Sequence, residues 1–483
     1  MKNNLLRIVL AGLLIADICF SFIQHANMPV TGDLAEVAFP DKGSAYYHVL
    51  QDPVGLSVLI HDTLYANPNR YFSHLWTSAY MLHVPKMLQT VADPVESIYL
   101  ACGVIKILIQ AGLLLLFATY ISNSFSITTL KWLTAAVLVT PLFQASGYNS
   151  YMGFIDQSIT YNFFYSLPLM LLLLFFLPYY RAWYNQTIIR MSNTQLILWA
   201  GLTFILCFSG PLVPGILAII CPLILLGYLY REFRDNPAQP FGIRVKHAII
   251  SLNKPPFIIL FLTILLSLYS LYIGSFNILN RAETLSLTDL YGKLSLGIFH
   301  QFTDKAGFPL AFLVIAINLI LLARMPDSAE KRGIFTLTRW LLLFSILFIL
   351  LLPLGGYRLY RPQILRYDTV MPITAGIVLL FGISSHYLIF AFQGIRRYLY
   401  VAIVGLILAV FTRADIPMFY ENDCEEKCLY EIASATDTIL ILHHDCPVME
   451  WGKISDYRMS AANARLLNYW GVTKRLTYYY QEE

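Results

Sequence analysis

Long apolar runs alternate with short polar connections along most of the chain, and the runs have the length that suits a lipid bilayer. Crossing a hydrocarbon core of about 30 Å takes about 20 mostly apolar residues in a helix. The pattern predicts such helices near 5–23, 98–121, 132–146, 160–178, 195–209, 212–230, 256–274, 308–323, 340–354, 370–391 and 398–412. Between the fifth and sixth, Ser209-Gly210-Pro211 and Pro214-Gly215 mark either a tight turn or a broken helix. Both are tolerated where protein or water satisfies the freed backbone groups. The reading is an all-α integral membrane protein of about 11 transmembrane helices over 1–412, followed by a small mixed α/β tail over 413–483.

Two polar stretches break the apolar pattern. The first is the loop 24–97, where Asn67-Pro68 suggests an N-cap with Pro at N1. The residues Tyr71, Leu75, Ser78 and Leu82, with Phe72, Trp76 and Ala79 alongside, predict an amphipathic surface helix that ends near Pro85. A second short helix is expected to start at Asp52-Pro53. In the tail, Thr438–Leu442 reads as a short strand, and 455–469 reads as a helix with Met459, Ala462, Leu466 and Leu467 on one side. The tail is too small for an independent domain and is expected to pack on the outer loops.

Composition supports the membrane reading: 57% of residues are hydrophobic, 13% are charged, and the mean hydropathy is +0.61. Orientation follows from the loop cations. The connection 231–255 carries Arg231, Arg234, Arg244, Lys246 and Lys254; 324–339 carries Arg324, Lys331, Arg332 and Arg339; Arg396 and Arg397 precede the last span. On the other side, 147–159 has no basic residue and the first loop has only Lys42, Arg70 and Lys86. The expectation is a multi-pass protein of the inner (plasma) membrane with a cytoplasmic N-terminus, its loop 24–97 and its tail extracytoplasmic. Residues 1–23 read as a retained signal anchor, because no A-x-A-like site follows them. A net charge of +4 is accounted for by loop topology and does not point to nucleic acid.

Two charges fall inside spans. Asp17 lies roughly 18 Å above the boundary at Leu5, and Lys106 roughly 12 Å below the boundary at Ile98. Equal depth predicts an ion pair joining the first two helices, structural in role rather than a proton relay.

The candidate chemistry lies in the outer loops. Asp33, Glu36 and Asp41 follow the first span at once. Asp156 is the only charge of the next outer loop, and His300 approaches a later span beside Gln301 and Asp304. The loop 355–369 holds Arg358, Arg361 and Arg366 with Tyr357, Tyr360 and Tyr367, although the positive-inside rule would leave it poor in base. Arginine presents a rigid fork that matches phosphate oxygens, so this loop suggests a phosphate site, against the plainer reading of headgroup snorkelling. For the acids the plainer reading is a solvated loop residue or a helix cap. Cys424, Cys428 and Cys446 stand in the tail, where a disulfide from Cys446 to Cys424 or Cys428 is permitted. His443 and His444 beside Cys446 raise a zinc alternative whose spacing fits no standard site.

On these features the chain resembles the polytopic C-type (GT-C) glycosyltransferases, which take sugars from polyprenyl-phosphate carriers. The features are an acid-bearing loop directly after the first helix, surface helices within that loop, and a many-helix bundle. A late Arg366-Tyr367-Asp368-Thr369-Val370-Met371-Pro372 element and a small final segment complete them. The acids depart from the tight Asp-Asp, Asp-Glu or Asp-x-Asp pairs of such enzymes, since Asp33 and Glu36 are three apart. The resemblance implies transfer of a sugar from a polyprenyl-phosphate donor to a glycan or lipid acceptor, with membrane lipids around it and no cofactor. Asp33 would be the base, with Glu36 and Asp41 behind it; Arg358, Arg361 and Arg366 would hold the phosphate, Tyr367 supporting, with Asp156 and His300 as further binding candidates. A transporter or flippase of lipid-linked saccharide, and a polysaccharide polymerase or ligase, are the competing functions; no persuasive internal repeat supports the transporter.

Overall fold

The computed structural model describes residues 2–30, 32–143, 152–234, 240–252, 254–280, 285–355, 361 and 363–482. Helix α1 (Lys2–Ala26) leads into the first loop, which holds four short or medium helices: α2 (Leu34–Ala38), α3 (Ala45–Gln51), α4 (Leu56–His61) and α5 (Tyr71–Leu88). The bundle continues with α6 (Pro94–Ser122), α7 (Leu130–Val139), α8 (Ile159–Tyr161) and α9 (Leu167–Tyr184), the last two joined by a π-helical turn over Asn162–Ser166. It is completed by α10 (Asn193–Cys207), α11 (Leu212–Arg234), α12 (Phe241–Ser251), α13 (Pro255–Gly274), α14 (Leu287–Thr303), α15 (Gly307–Ala323), α16 (Ala329–Leu351), α17 (Tyr367–Ala391) and α18 (Gly394–Ala414).

Among the described residues, eight helices are long and apolar enough to cross a membrane: α1, α6, the α8–α9 unit, α11, α13, α16, α17 and α18. The α14–α15 pair passes the same test only together and is bent by 74°, while α7 with the turn after it, and α10, are apolar but shorter. This is a multi-pass, all-α membrane protein. Helix α17 is the most enclosed of the spans, and α6 packs against α1, α7, α9 and α17.

The expected ion pair between α1 and α6 does not form. Asp17 accepts a hydrogen bond from Thr140 (2.7 Å), and Lys106, 1% exposed, donates to the Gln157 carbonyl (2.5 Å) with Met28 Sδ at 3.5 Å. Helix register is the reason. Gly103 faces the backbone of Ala26 so closely that a Cβ there would lie 3.2 Å from the Ala26 nitrogen. Asp17 is nine residues from Ala26 and Lys106 three from Gly103, so the two charges sit about 9 Å apart in depth. Estimating depth from the apolar boundaries missed this, because α6 starts at Pro94, capped by Asp93, one turn before its apolar run. Helix α1 instead meets α6 through His25 and Ser21, both bonded to Gln110 (2.9 and 3.0 Å).

In the first loop, α5 starts at Tyr71 rather than after Asn67 and runs past Pro85 to Leu88. Asn67 adopts φ +53° and is bonded to Asn277 through its backbone N–H, so it belongs to a turn and not a cap. The buried stripe of α5 is Ser73, His74, Thr77, Met81 and Pro85, more polar than the stripe the sequence pattern selects. Asp52 anchors the start of α4, accepting from the Leu56 and Ser57 backbones (2.7 and 2.9 Å) and from Tyr65 (3.1 Å).

The tail folds into α19 (Asp423–Ser434), β1 (Ile439–Leu442), α20 (Ala461–Trp470) and β2 (Tyr478–Gln481), with β1 and β2 parallel. Of the two pairings open to it, Cys446 forms its disulfide with Cys424, leaving Cys428 buried and reduced. With the Cys446 sulfur so used, and His444 bonded to Glu431 (2.7 Å), the zinc arrangement does not form. The tail packs on the first loop: buried Trp470 donates to the Met81 carbonyl and accepts from Gln89 (both 2.7 Å), and Lys86 lies 3.7 Å over the Tyr469 ring.

The deepest link is Glu425. Its buried carboxylate accepts from the backbone N–H of Val30 (2.7 Å), the backbone N–H of Met449 (2.8 Å) and the Tyr99 hydroxyl (3.0 Å). Burial raises its pKa above the ordinary carboxylate value, and the three donors pull it back. Glu425→Ala would strand all three donors, each costing about 1–3 kcal/mol when left unmet in the interior. The expected result is docking of the tail weakened by at least about 3 kcal/mol. Limited proteolysis of the 415–423 connection and the melting temperature in detergent would report it, and unchanged values for both would remove Glu425 from this role.

Candidate functional site

Asp33 occupies the N-cap position of α2 but makes no capping hydrogen bond. Its Oδ1 instead accepts from the indole N–H of Trp451 in the tail (3.1 Å). Gly32 makes this possible: it has φ +92°, and a Cβ there would fall 2.7 Å from the Trp451 ring and 3.1 Å from Ser158 Oγ. Helix α2 buries Leu34, Ala35, Val37 and Ala38 and turns Glu36 outward. Asp41 is engaged with Arg465 of α20 (2.7 Å) at the surface.

Beside Trp451 stands Glu450, half-buried, which nothing in its sequence neighbourhood distinguishes. Its pKa is pushed up to about 7, chiefly by burial and further by the charges of Asp33 and Glu36, against the Trp451 backbone N–H, which lowers it. Burial and Asp33 also raise the pKa of Glu36, and Arg465 opposes them. Three carboxylates thus share one field. Among the described residues, no group of three or more His, Cys, Asp or Glu is placed to hold a metal ion.

The other half of the site comes from α17 and the residues before it. Asp368, 3% exposed, pairs with Arg366 (2.5 Å) and also accepts from the Thr369 backbone (3.0 Å). The Arg366 Nε is buried with no protein acceptor. Tyr367, at the first position of α17, is exposed. Arg358 lies outside the described residues.

Two tyrosines bridge the halves. Tyr161, just before the π-helical turn, packs its ring 5.5 Å from Trp451 and 5.5 Å from Tyr165. Asp368, Arg361 and Arg366 act electrostatically on Tyr161, and the same three with Arg70 act on Tyr165. The π turn widens the helix by one residue, a device frequent at functional sites. The chain Asp33–Trp451–Tyr161–Tyr165–Arg366 therefore puts the acids of the first loop and the arginines before α17 on one continuous surface.

Two candidates take other roles. Asp156 is buried and shapes its own loop: Oδ1 accepts from Ser158 N–H (2.8 Å), while Asn162 grips the Asp156 and Ser158 carbonyls (both 2.8 Å). That places Ser158 under Gly32. His300 pairs with Asp304 one turn along the exposed face of α14 (2.9 Å).

Sequence reasoning passed over Glu450, Trp451, Arg70, Tyr161, Tyr165 and Asp368. Asp368 stood within the quoted Arg-Tyr-Asp run; the others carry no local signal, because the tail joins the site only through tertiary contacts. Family models, curated proteins and solved structures yield no match to this chain.

Glu450 gives a pH prediction. Its folded pKa, about 7, lies above its ordinary 4.5, so the folded protein holds a proton that the unfolded chain releases. Stability is full below about pH 4.5 and falls as pH rises toward about 7. Melting curves of wild type and Glu450→Gln from pH 4.5 to 8 should diverge across that window, the variant being relatively more stable at the alkaline end; parallel curves would contradict the assignment.

Proposed function

We propose that this chain is a membrane glycosyltransferase that moves a sugar from a polyprenyl-phosphate donor to a glycan or lipid acceptor at the extracytoplasmic face. One observation carries the reading: a carboxylate cluster and an arginine cluster are joined through stacked aromatic rings, and transfer from a phosphate-linked donor needs both. The acceptor hydroxyl gives its proton to the Asp33–Glu450 dyad, which titrates as a unit. The oxygen attacks the anomeric carbon, and the bond to the carrier phosphate breaks with its electrons going to the phosphate oxygen. Arg361 and Arg366 neutralise that charge, so no proton donor to the leaving group is required. A dyad member with a pKa near 7 suits a base working near neutral pH.

In this reading the eleven apolar segments all cross the membrane, α7 and α10 among them, with the N-terminus cytoplasmic. The basic connections after α11 and α15 support that orientation, as does the Cys424–Cys446 disulfide in the tail, a bond that persists in oxidising compartments.

The test is transfer by purified protein in detergent from polyprenyl-phosphate sugars, where a transporter would give no product. Asp33→Ala and Glu450→Gln should each lower kcat/KM by about 10² or more. Arg366→Gln should lower it comparably while leaving the pH profile in place. Full transfer by the Asp33 and Glu450 variants would end the assignment.

A further inference from the structure

The first turn of α5 holds a group the proposed reaction does not use. His74 is fully buried, and neither Nδ1 nor Nε2 has a hydrogen-bond partner. Its ring lies near-parallel to those of Phe164 (5.3 Å) and Tyr46 (6.0 Å). Stacking satisfies the faces of an imidazole and leaves the nitrogen edge unmet. An interior polar atom left in that condition costs about 1–3 kcal/mol, so such atoms are few and call for a reason. A polar occupant in the plane of the ring would remove the cost.

Charge identifies the occupant. Arg70, one turn earlier on the same face, lays its guanidinium over the same Phe164 ring (4.5 Å) and 5.9 Å from Tyr165. Three guanidinium groups, Arg70, Arg361 and Arg366, act on Tyr165, and Asp368 is the one carboxylate that does. A cation would be repelled here, and a neutral hydroxyl would leave the excess positive charge unmatched. A tetrahedral oxyanion answers both the imidazole and the guanidinium groups. Burial first, and Arg70 second, hold His74 neutral with a pKa of about 3, so the ring offers one N–H donor and one acceptor nitrogen, which suits a phosphoryl group carrying a proton.

We propose that Arg70 and His74 form a binding site for a phosphoryl group, approached from the α5 side of the Tyr165 ring. It deepens the transferase reading and rests on it for the physiological source, the carrier phosphate; its chemistry would also admit free phosphate.

The test uses full-length protein in detergent at matched ionic strength, titrated with inorganic phosphate, inorganic pyrophosphate or a short-chain polyprenyl phosphate, with binding read by ³¹P NMR and melting shift. His74→Phe keeps the stacked ring and removes both unmet nitrogens. The variant should melt no lower than wild type when empty, yet bind its phosphoryl ligand at least about tenfold more weakly, which is about 1.4 kcal/mol. A role in packing alone would lower the empty melting temperature and leave binding unchanged, and equal affinities in the two proteins overturn the site. Dependence on His74 for polyprenyl phosphate alone assigns the site to the carrier; dependence for inorganic phosphate or pyrophosphate as well assigns it to the phosphoryl group itself. If phosphoryl binding depends on His74 but no sugar is transferred, the site stands and the transferase reading falls. If transfer proceeds while binding ignores His74, this proposal alone falls.

Discussion

A single buried carboxylate organises the chemistry of this protein. Glu425 draws together a backbone N–H from the start of the first loop, one from the tail and a hydroxyl from the top of α6. Val30 stands three residues before Asp33, and Met449 directly precedes Glu450. The clamp therefore fixes both acids of the dyad by their backbones, leaving their side chains free. Ionised carboxylates are expensive to bury, and three good donors are the sort of compensation that makes it tolerable. The Cys424–Cys446 disulfide flanks the same point and holds α19 to the strand that delivers Met449 and Glu450. Covalent and electrostatic constraints thus act on one spot.

Much of the fold was legible because lipid leaves little choice. With no water to satisfy backbone groups, apolar runs must become helices, and all eleven runs lie in helices here. Local chemistry carried parts of the tail: Ile439–Leu442 is a strand as its apolar run suggests, and α20 occupies most of the expected helix, although Met459 is exposed and precedes it. Side-chain partners inside the bundle were less accessible. Apolar boundaries give depth to within a turn or two, and the Asp17–Lys106 mismatch is of that size. A close contact such as that of Gly103 with Ala26 sets the register, and no single sequence discloses it.

The site shows the same division. Asp33 and Arg366 could be singled out because charge at the edge of an apolar helix is conspicuous. Glu450 and Trp451 sit in a polar segment where neither stands out, and they reach the site only through the folding of the tail onto the first loop. Residues supplied by a distant segment are invisible to local pattern, whatever their role. The polar stripe of α5 was misread for a related reason. Amphipathic reasoning assumes that the apolar face is the buried one, but a helix lying between membrane and protein can turn polar residues such as Ser73, His74 and Thr77 inward.

The placement of Trp451 bears on how the protein is made. A chain synthesised from its N-terminus delivers Gly32 and Asp33 to the membrane surface long before the segment that carries the indole. All the spans are laid down first, and the bed beneath that ring, Gly32 with Ser158 beside it, stays vacant meanwhile. The acids of the dyad come together only after the last membrane helix has emerged and the tail has folded back. Assembly of the site is thus a late event in biogenesis, and an unfinished chain lacks half of its carboxylate pair.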